Sequence, residues 1–338
     1  MRLNYSIPVI NNLRGVAASA VCFYHFVVLT KYYIRNDWIR DIFYYGSHGV
    51  QMFFVISGIV IPLSMIKSDY KLQYWGRFLL KRFARLEPPY IAGILIAIAY
   101  FQIRRFIPGT SSEDMMITYK ELLLHLGYMI PFVEGARWAV PSLWTLSIEF
   151  QYYILLSLLF PLALRYTPAR WMLYVLFLMF PLILPNHALF PSHAPLFLLG
   201  IVYALWYTKR ISASECCITI ALAFTSSLIF MPFSFSVVAA LTLAVVHFAT
   251  GYNNRWLAFL GMISYSLYLL HQSTGSPVIN FLSHRFREGY QKPFVILIGY
   301  MVSIGCSFII YKLIELPSLR LSRSIRYTTA KSPESNLA

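Results

Sequence analysis

Ten apolar runs fix the class of fold open to this chain, several of them near or above the roughly 20 residues needed to cross a bilayer. They fall near 7–30, 43–66, 86–104, 143–166, 170–185, 193–208, 214–231, 235–250, 256–276 and 293–315. Hydrocarbon offers no partner to a backbone N–H or C=O, so runs of this length read as helices. The expected fold is all-α: a polytopic membrane protein of about ten transmembrane helices. Charged side chains are 12% of the 338 residues, against about 25% in soluble domains. A soluble bundle would also need polar faces that these runs lack.

The formal net charge is +15, which raises nucleic acid as a partner. The basic residues, however, lie in short connections between apolar runs, which is the pattern of basic loops retained in the cytoplasm. Lys67, Lys71, Arg77, Lys81, Arg82 and Arg85 crowd the linker 67–85 against Asp69 alone. Arg165, Arg170, Lys209, Arg210 and Arg255 mark later connections on that side, and Arg320, Arg323 and Arg326 follow the last run. The bias places both termini in the cytoplasm, with the lipid bilayer and not nucleic acid as the surrounding partner. Loop 277–292 departs from it, with Arg285, Arg287 and Lys292 against Glu288. Arg14 interrupts the first run where a cleaved signal needs an unbroken apolar core, so that run is read as retained.

One membrane domain, 1–321, is expected, followed by a short polar cytoplasmic tail, 322–338, with the composition of a disordered segment. The long connection 105–142 carries mixed charge, including Glu113 and Asp114, and its Leu122–Ile130 part reads as an interfacial or re-entrant helix. Cys22, Cys216, Cys217 and Cys306 have neither zinc-site nor disulfide spacing and read as small buried side chains. No metal is expected.

The polar residues inside the apolar runs carry the functional reading. Arg14 and His25 are eleven residues apart, close to three helical turns or about 16 Å, so both face the same side. Ionisable groups on a lipid-facing surface are costly, which turns that side inward. The alternating topology brings His25, His48, Glu149 and His271 to similar depth near the outer surface, with Ser57 deeper. A carboxylate and histidines at one depth fit a proton relay in a transporter, a structural ion pair, or a general base with its orienting partner. Ser57-Gly58 reads first as close helix packing, and as a nucleophile only where a base lies within hydrogen-bond reach. Towards the cytoplasm, Arg77, Lys81 and Arg85 recur at i,i+4 with Arg82 beside them. Such a stripe meets anionic lipid or a phosphate-rich ligand.

These residues, taken in order, resemble the acyltransferase-3 family of integral membrane acyltransferases. The resemblance rests on Arg14 with ten residues before His25, then on Gly49–Gly58 with its Phe53-Phe54-Val55-Ile56-Ser57-Gly58. It continues through Arg82-Phe83-Ala84-Arg85, Ser142–Glu149 around Trp144, and Ile263–His271, and runs from about residue 8 to 320. It implies a ten-span fold in a bacterial cytoplasmic (inner) membrane. It also implies transfer of an acyl group, most often acetyl, from acetyl-CoA or another acyl-CoA to a hydroxyl of a glycan, glycolipid or similar acceptor. By the same resemblance His25 matches the essential histidine, Arg14 its paired arginine, Arg82 and Arg85 the double-arginine motif, and Glu149 the acidic residue. The sequence departs from the family at Leu86-Glu87-Pro88, where an aromatic often precedes the proline, and at Gln272 after His271. The stretch after the last run is short for the extracellular hydrolase-like domain of some members, so the single-domain form is expected.

Acylation of a hydroxyl by a thioester needs a base at the alcohol, stabilisation of an oxyanion, and exclusion of water. His25 is the expected base, with Glu149 orienting its ring or stabilising its charged form. Helix interiors have no free N–H, so the oxyanion donor is sought among Ser57, Tyr24 and His48 or at a broken helix end, with Trp144 and His271 as further substrate or oxyanion candidates. Arg14, Arg82 and Arg85, with Lys81, are the expected coenzyme A phosphate ligands. A cavity should then join the Arg82/Arg85 surface to His25, whereas a transporter or polysaccharide-export component, the alternative, would have two half-bundles around a midplane site. The acceptor's identity, direct transfer against an acyl-enzyme, and the oligomeric state stay open at this level.

Overall fold

A computed structural model describes residues 7–30, 33–104 and 117–327, and these are helical with no strand among them. In chain order the helices are α1 (Val9–Tyr24), α2 (Asp37–Tyr44), α3 (Gly49–Lys67), α4 (Trp75–Arg104) and α5 (Tyr119–Leu126). They continue with α6 (Trp144–Arg165), α7 (Thr167–Ile183), α8 (Ala194–Tyr207), α9 (Ala213–Phe230) and α10 (Phe233–Phe248). The last four are α11 (Arg255–Met262), α12 (Ser264–Ser283), α13 (Lys292–Ile310) and α14 (Leu316–Ser324). Among the described residues, seven helical segments are long and apolar enough to cross a membrane, and α7 and α10 are shorter apolar helices. The chain is a multi-pass membrane protein.

Each of the ten apolar runs coincides with helix, but two are built differently from a single rod. The run 256–276 is two helices, because the backbone leaves helical geometry at Ile263 between α11 and α12. The run 293–315 continues from α13 through a π-helical turn, Tyr311–Glu315, into α14. Of the region expected as tail, residues 322–327 are placed against the bundle: the Ser322 hydroxyl donates to the Lys81 carbonyl at 2.8 Å, and Tyr327 stacks on Tyr74. Residues 328–338, and Glu113 and Asp114 of the long connection, lie outside the described residues. Within Leu122–Ile130 the helix ends at Leu126, leaving one short helix, α5. Cys22 and Cys216 are buried as expected, whereas Cys217 is exposed and Cys306 half-buried.

Packing is most extensive between α12 and α13, α3 and α8, and α1 and α11. Lipid is as apolar as leucine, so helices in a bilayer gain from backbones that approach closely over small residues. Gly58 and Gly200 supply that approach between α3 and α8. A Cβ on Gly58 would lie 2.3 Å from the Phe197 carbonyl oxygen, and one on Gly200 2.3 Å from that of Val55. Gly58→Ala is therefore expected to force the pair apart and cost about 1–3 kcal/mol, the range for overpacked cores. A lower aggregation temperature of the detergent-solubilised protein measures this.

The segment around α5 is tied down by Glu121. Its carboxylate accepts from the Thr118 backbone N–H at 2.7 Å and hydroxyl at 2.9 Å, closing a capping box on α5. It also accepts from the Arg137 backbone N–H and Nε at 3.0 and 3.1 Å. Burial by itself would raise this carboxyl, but the bonds from Thr118 and Arg137 outweigh it and hold it at about 2. A depressed carboxyl stabilises above its ordinary value of 4.5 and loses that contribution as pH falls towards 2. Amide hydrogen exchange across residues 127–140 is accordingly expected to accelerate, relative to the intrinsic rate, between pH 5 and pH 3.

Candidate active site

Helices α1, α3, α4, α6 and α12 meet around a cavity of about 100 Å³. Arg14 enters it from α1, Ser57 from α3, Arg82 and Arg85 from α4, and Glu149 and Tyr153 from α6. Tyr265 and Tyr268 close it from α12. The local sequence explains how α4 delivers two cations to one place. Arg82 and Arg85 are three residues apart and share a helix face. Pro88 and Pro89 then remove the N–H groups that would cap the Ala84 and Arg85 carbonyls. At this weakened turn the Tyr265 hydroxyl donates to the Leu86 carbonyl at 2.8 Å.

The charge arrangement is unusual for an apolar interior. Arg14, Arg82 and Arg85 interact at longer range with Glu149 and Glu315, yet none comes within ion-pair distance of a carboxylate among the described residues. The Arg82 guanidinium lies over the Phe78 and Tyr153 rings, 5.3 and 5.4 Å from their centroids. The two acids are held by hydroxyls instead. Ser57 donates to Glu149 at 2.6 Å, and Ser266 donates to Glu315 at 2.5 Å. Three guanidinium forks with no carboxylate partner in a membrane-embedded cavity are costly to a fold that uses them only for packing. They suit a ligand that brings several negative oxygens.

The expected conduit from this surface to His25 is not present as one cavity: His25 does not line it. Phe53 and Tyr268 form part of the cavity wall, their rings edge to face at 5.9 Å, and Tyr268 is 6.0 Å from the ring of His271, the partner of His25. The expected pairing of Glu149 with His25 is likewise replaced. Glu149 binds Ser57, and His25 is paired with His271, Nδ1 to Nε2 at 3.1 Å. His25 opens a π-helical turn, His25–Leu29, that continues α1, a local widening that recurs at functional sites.

The other expected site residues are dispersed. His48 lies at the N-terminal end of α3, bonded to Ser47 and to Ser234 at 2.8 Å and packed on Phe235. Tyr24 stands edge-on to His25 at 5.0 Å. Trp144 does not line the cavity and packs against His193 at 5.8 Å. Lys81 leaves the arginine stripe to sit over the Tyr327 ring at 4.8 Å, and Arg77 donates to the Tyr327 carbonyl. The basic stripe is therefore split by helix rotation: two residues turn to the cavity and two to the C-terminal segment. Glu87 is buried at 2% exposure and lies outside the cavity lining.

Sequence reasoning passed over Glu315 and His193. Glu315 is an acid in the last apolar run, the same signal that singled out Glu149. His193 follows a proline-crowded turn, and its neighbours Phe54 and Trp144 come from distant helices, so nothing local marks it.

The chain is 24% identical to the O-acetyltransferase OatA of Staphylococcus aureus (strain NCTC 8325), over 92% of this chain and 57% of that protein. It is 29% identical to the acyltransferase MdmB of Streptomyces mycarofaciens over 48% of this chain and 41% of that protein. A putative O-acetyltransferase of S. aureus (strain COL) is 25% identical over 92% of this chain and 57% of its own length. The chain thus spans little more than half the length of the staphylococcal relatives. No solved structure matches it. The acyltransferase domain that defines the acyltransferase-3 family matches residues 7–312, nearly every helix described above, and the chain belongs to that family.

Proposed function

We propose that the protein is a membrane O-acyltransferase that moves an acetyl group from acetyl-CoA to a hydroxyl of a cell-surface or secreted glycan or glycolipid. The single observation that carries this reading is the cavity where Arg14, Arg82 and Arg85 converge without carboxylate partners beside the Ser57–Glu149 pair. Coenzyme A carries phosphates that match arginine forks, and its pantetheine arm is narrow and long. The narrow arm would occupy the cavity of about 100 Å³, with the coenzyme phosphates at its Arg14, Arg82 and Arg85 lining. Ten spans with both termini in the cytoplasm, in a bacterial cytoplasmic membrane, would present the arginines to the cytoplasmic donor and His25 to an acceptor arriving from outside.

In the reaction, the alcohol gives its proton to His25 as its oxygen attacks the thioester carbon. The tetrahedral intermediate collapses as the carbon–sulfur bond breaks, and the thiolate takes the proton. The thioester must pass the Phe53–Tyr268 wall to meet His25, so a rotation of either ring would be part of the cycle. O-acetyltransferase names among the relatives support acetyl as the group and oxygen as the acceptor atom. The test is transfer of label from radiolabelled acetyl-CoA by membranes that contain or lack the protein. Alkali-labile label in the glycan or glycolipid fraction is expected only with the protein. Equal label in both membranes overturns the proposal.

A further inference from the structure

The acyl-transfer reading leaves His271 without a role, and the geometry of its ring gives it one. His271 is fully buried (0% exposed) on α12, and His25 is half-buried on α1; their ring centroids are 4.8 Å apart at 61°. Three distances fix where the protons sit. His271 Nδ1 is 3.1 Å from the Leu267 carbonyl oxygen, and His25 Nδ1 is 2.9 Å from the Val21 carbonyl oxygen. A carbonyl only accepts, so each Nδ1 must carry a hydrogen. Neutral His271 then has its lone pair on Nε2, the atom 3.1 Å from His25 Nδ1. The reverse assignment would set a lone pair against a carbonyl oxygen at both rings.

From this we propose that His271 is a positioning residue for the acyl-transfer base. It accepts the Nδ1–H of His25, holds that ring in the tautomer whose Nε2 is the base, and takes up the stronger bond when His25 becomes cationic. The Val21 carbonyl alone is a poorer partner, because it also receives the backbone N–H of His25. When the alcohol's proton reaches His25 Nε2, the ring carries hydrogen on both nitrogens. Its Nδ1–H stays shared between His271 Nε2 and the Val21 carbonyl until Nε2 passes its proton to the departing thiolate. The neutral imidazole thus fills the place a buried carboxylate takes in hydrolytic triads. Here Glu149 is engaged elsewhere, by Ser57.

The inference rests on the acyl-transfer reading but is separable from it by experiment. Nitrogen-15 NMR of histidine-labelled protein in nanodiscs should find neutral His25 and His271 both protonated on Nδ1. An Nε2–H tautomer at His25 in the wild-type protein overturns the inference whether or not the protein transfers acetyl groups. His271→Phe keeps a ring of similar shape with no acceptor, and His271→Gln can place Oε1 where Nε2 was. His271→Phe is expected to lower kcat by about 10²-fold, at the lower end of general-base effects, with KM for acetyl-CoA unchanged, and to mix the His25 tautomers. His271→Gln should restore both readouts to within about tenfold of wild type, on the scale of one hydrogen bond. Unchanged kcat in His271→Phe, or equal loss in both variants when both are recovered folded, sinks the assignment. If His271→Phe is not recovered folded, the wild-type tautomer and the His271→Gln kcat decide it, loss of the latter beyond tenfold counting against. Absence of transfer by the wild type would overturn the proposed function and leave the tautomer measurement to decide the pairing.

Discussion

His25→Ala is expected to lower acetyl transfer by about 10²-fold or more while leaving the abundance of the protein in membranes unchanged. The ring is only half-buried and hydrogen-bonds a carbonyl and His271, so its removal leaves no charge stranded in the bilayer. Its loss should lower kcat by about 10²–10⁴-fold, the contribution of a positioned base. KM for acetyl-CoA should hardly change, because the donor is gripped at the arginines and not at the imidazole. The measurement is initial rate of label transfer, normalised to protein recovered in the membrane. Transfer at the wild-type rate would take His25 out of the chemistry.

The second large effect is expected at the donor end. Arg14→Gln, Arg82→Gln and Arg85→Gln should each raise KM for acetyl-CoA by roughly 10- to 100-fold, the worth of a charge-assisted hydrogen bond of about 1.5–3 kcal/mol. A smaller change in kcat is expected. Arg→Lys at the same positions should recover only part of the loss, since a point charge cannot make the forked contact. These variants should fold, because among the described residues none of the three guanidinium groups is within ion-pair distance of a carboxylate, and Glu149 and Glu315 keep their donors Ser57 and Ser266. Lys81→Ala serves as the contrast. Its ammonium lies over Tyr327 and outside the cavity lining, so KM should shift by less than about threefold. Unchanged KM in all three arginine variants would place the donor elsewhere.

The contrast between Arg82/Arg85 and Lys81/Arg77 marks where sequence reasoning stops. An i,i+4 stripe identifies a cationic face, but which of its members meets a ligand depends on the rotation of α4 against its neighbours. That rotation seats Arg82 over Tyr153 of α6 and Lys81 over Tyr327 near the C-terminus, rings far from α4 in the chain. The same holds for the histidines. Depth in the bilayer follows from helical rise and topology, so His25, His48, Glu149 and His271 could be ranked by level. Level leaves azimuth free. His48 turned to Ser234, Glu149 to Ser57, and only His25 and His271 met.

What the sequence determined by itself is the helical, membrane-embedded character of the chain and the polar residues it sets inside apolar runs. Hydrocarbon enforces both: a backbone in lipid must satisfy its own hydrogen bonds, and an ionisable group there must turn inward. The tertiary structure alone decided the partners. Gly58 against Gly200 sets how closely α3 and α8 approach, and the break at Ile263 separates α11 from the helix that carries His271. Contacts between residues hundreds of positions apart follow from packing of whole helix faces, which no local periodicity encodes.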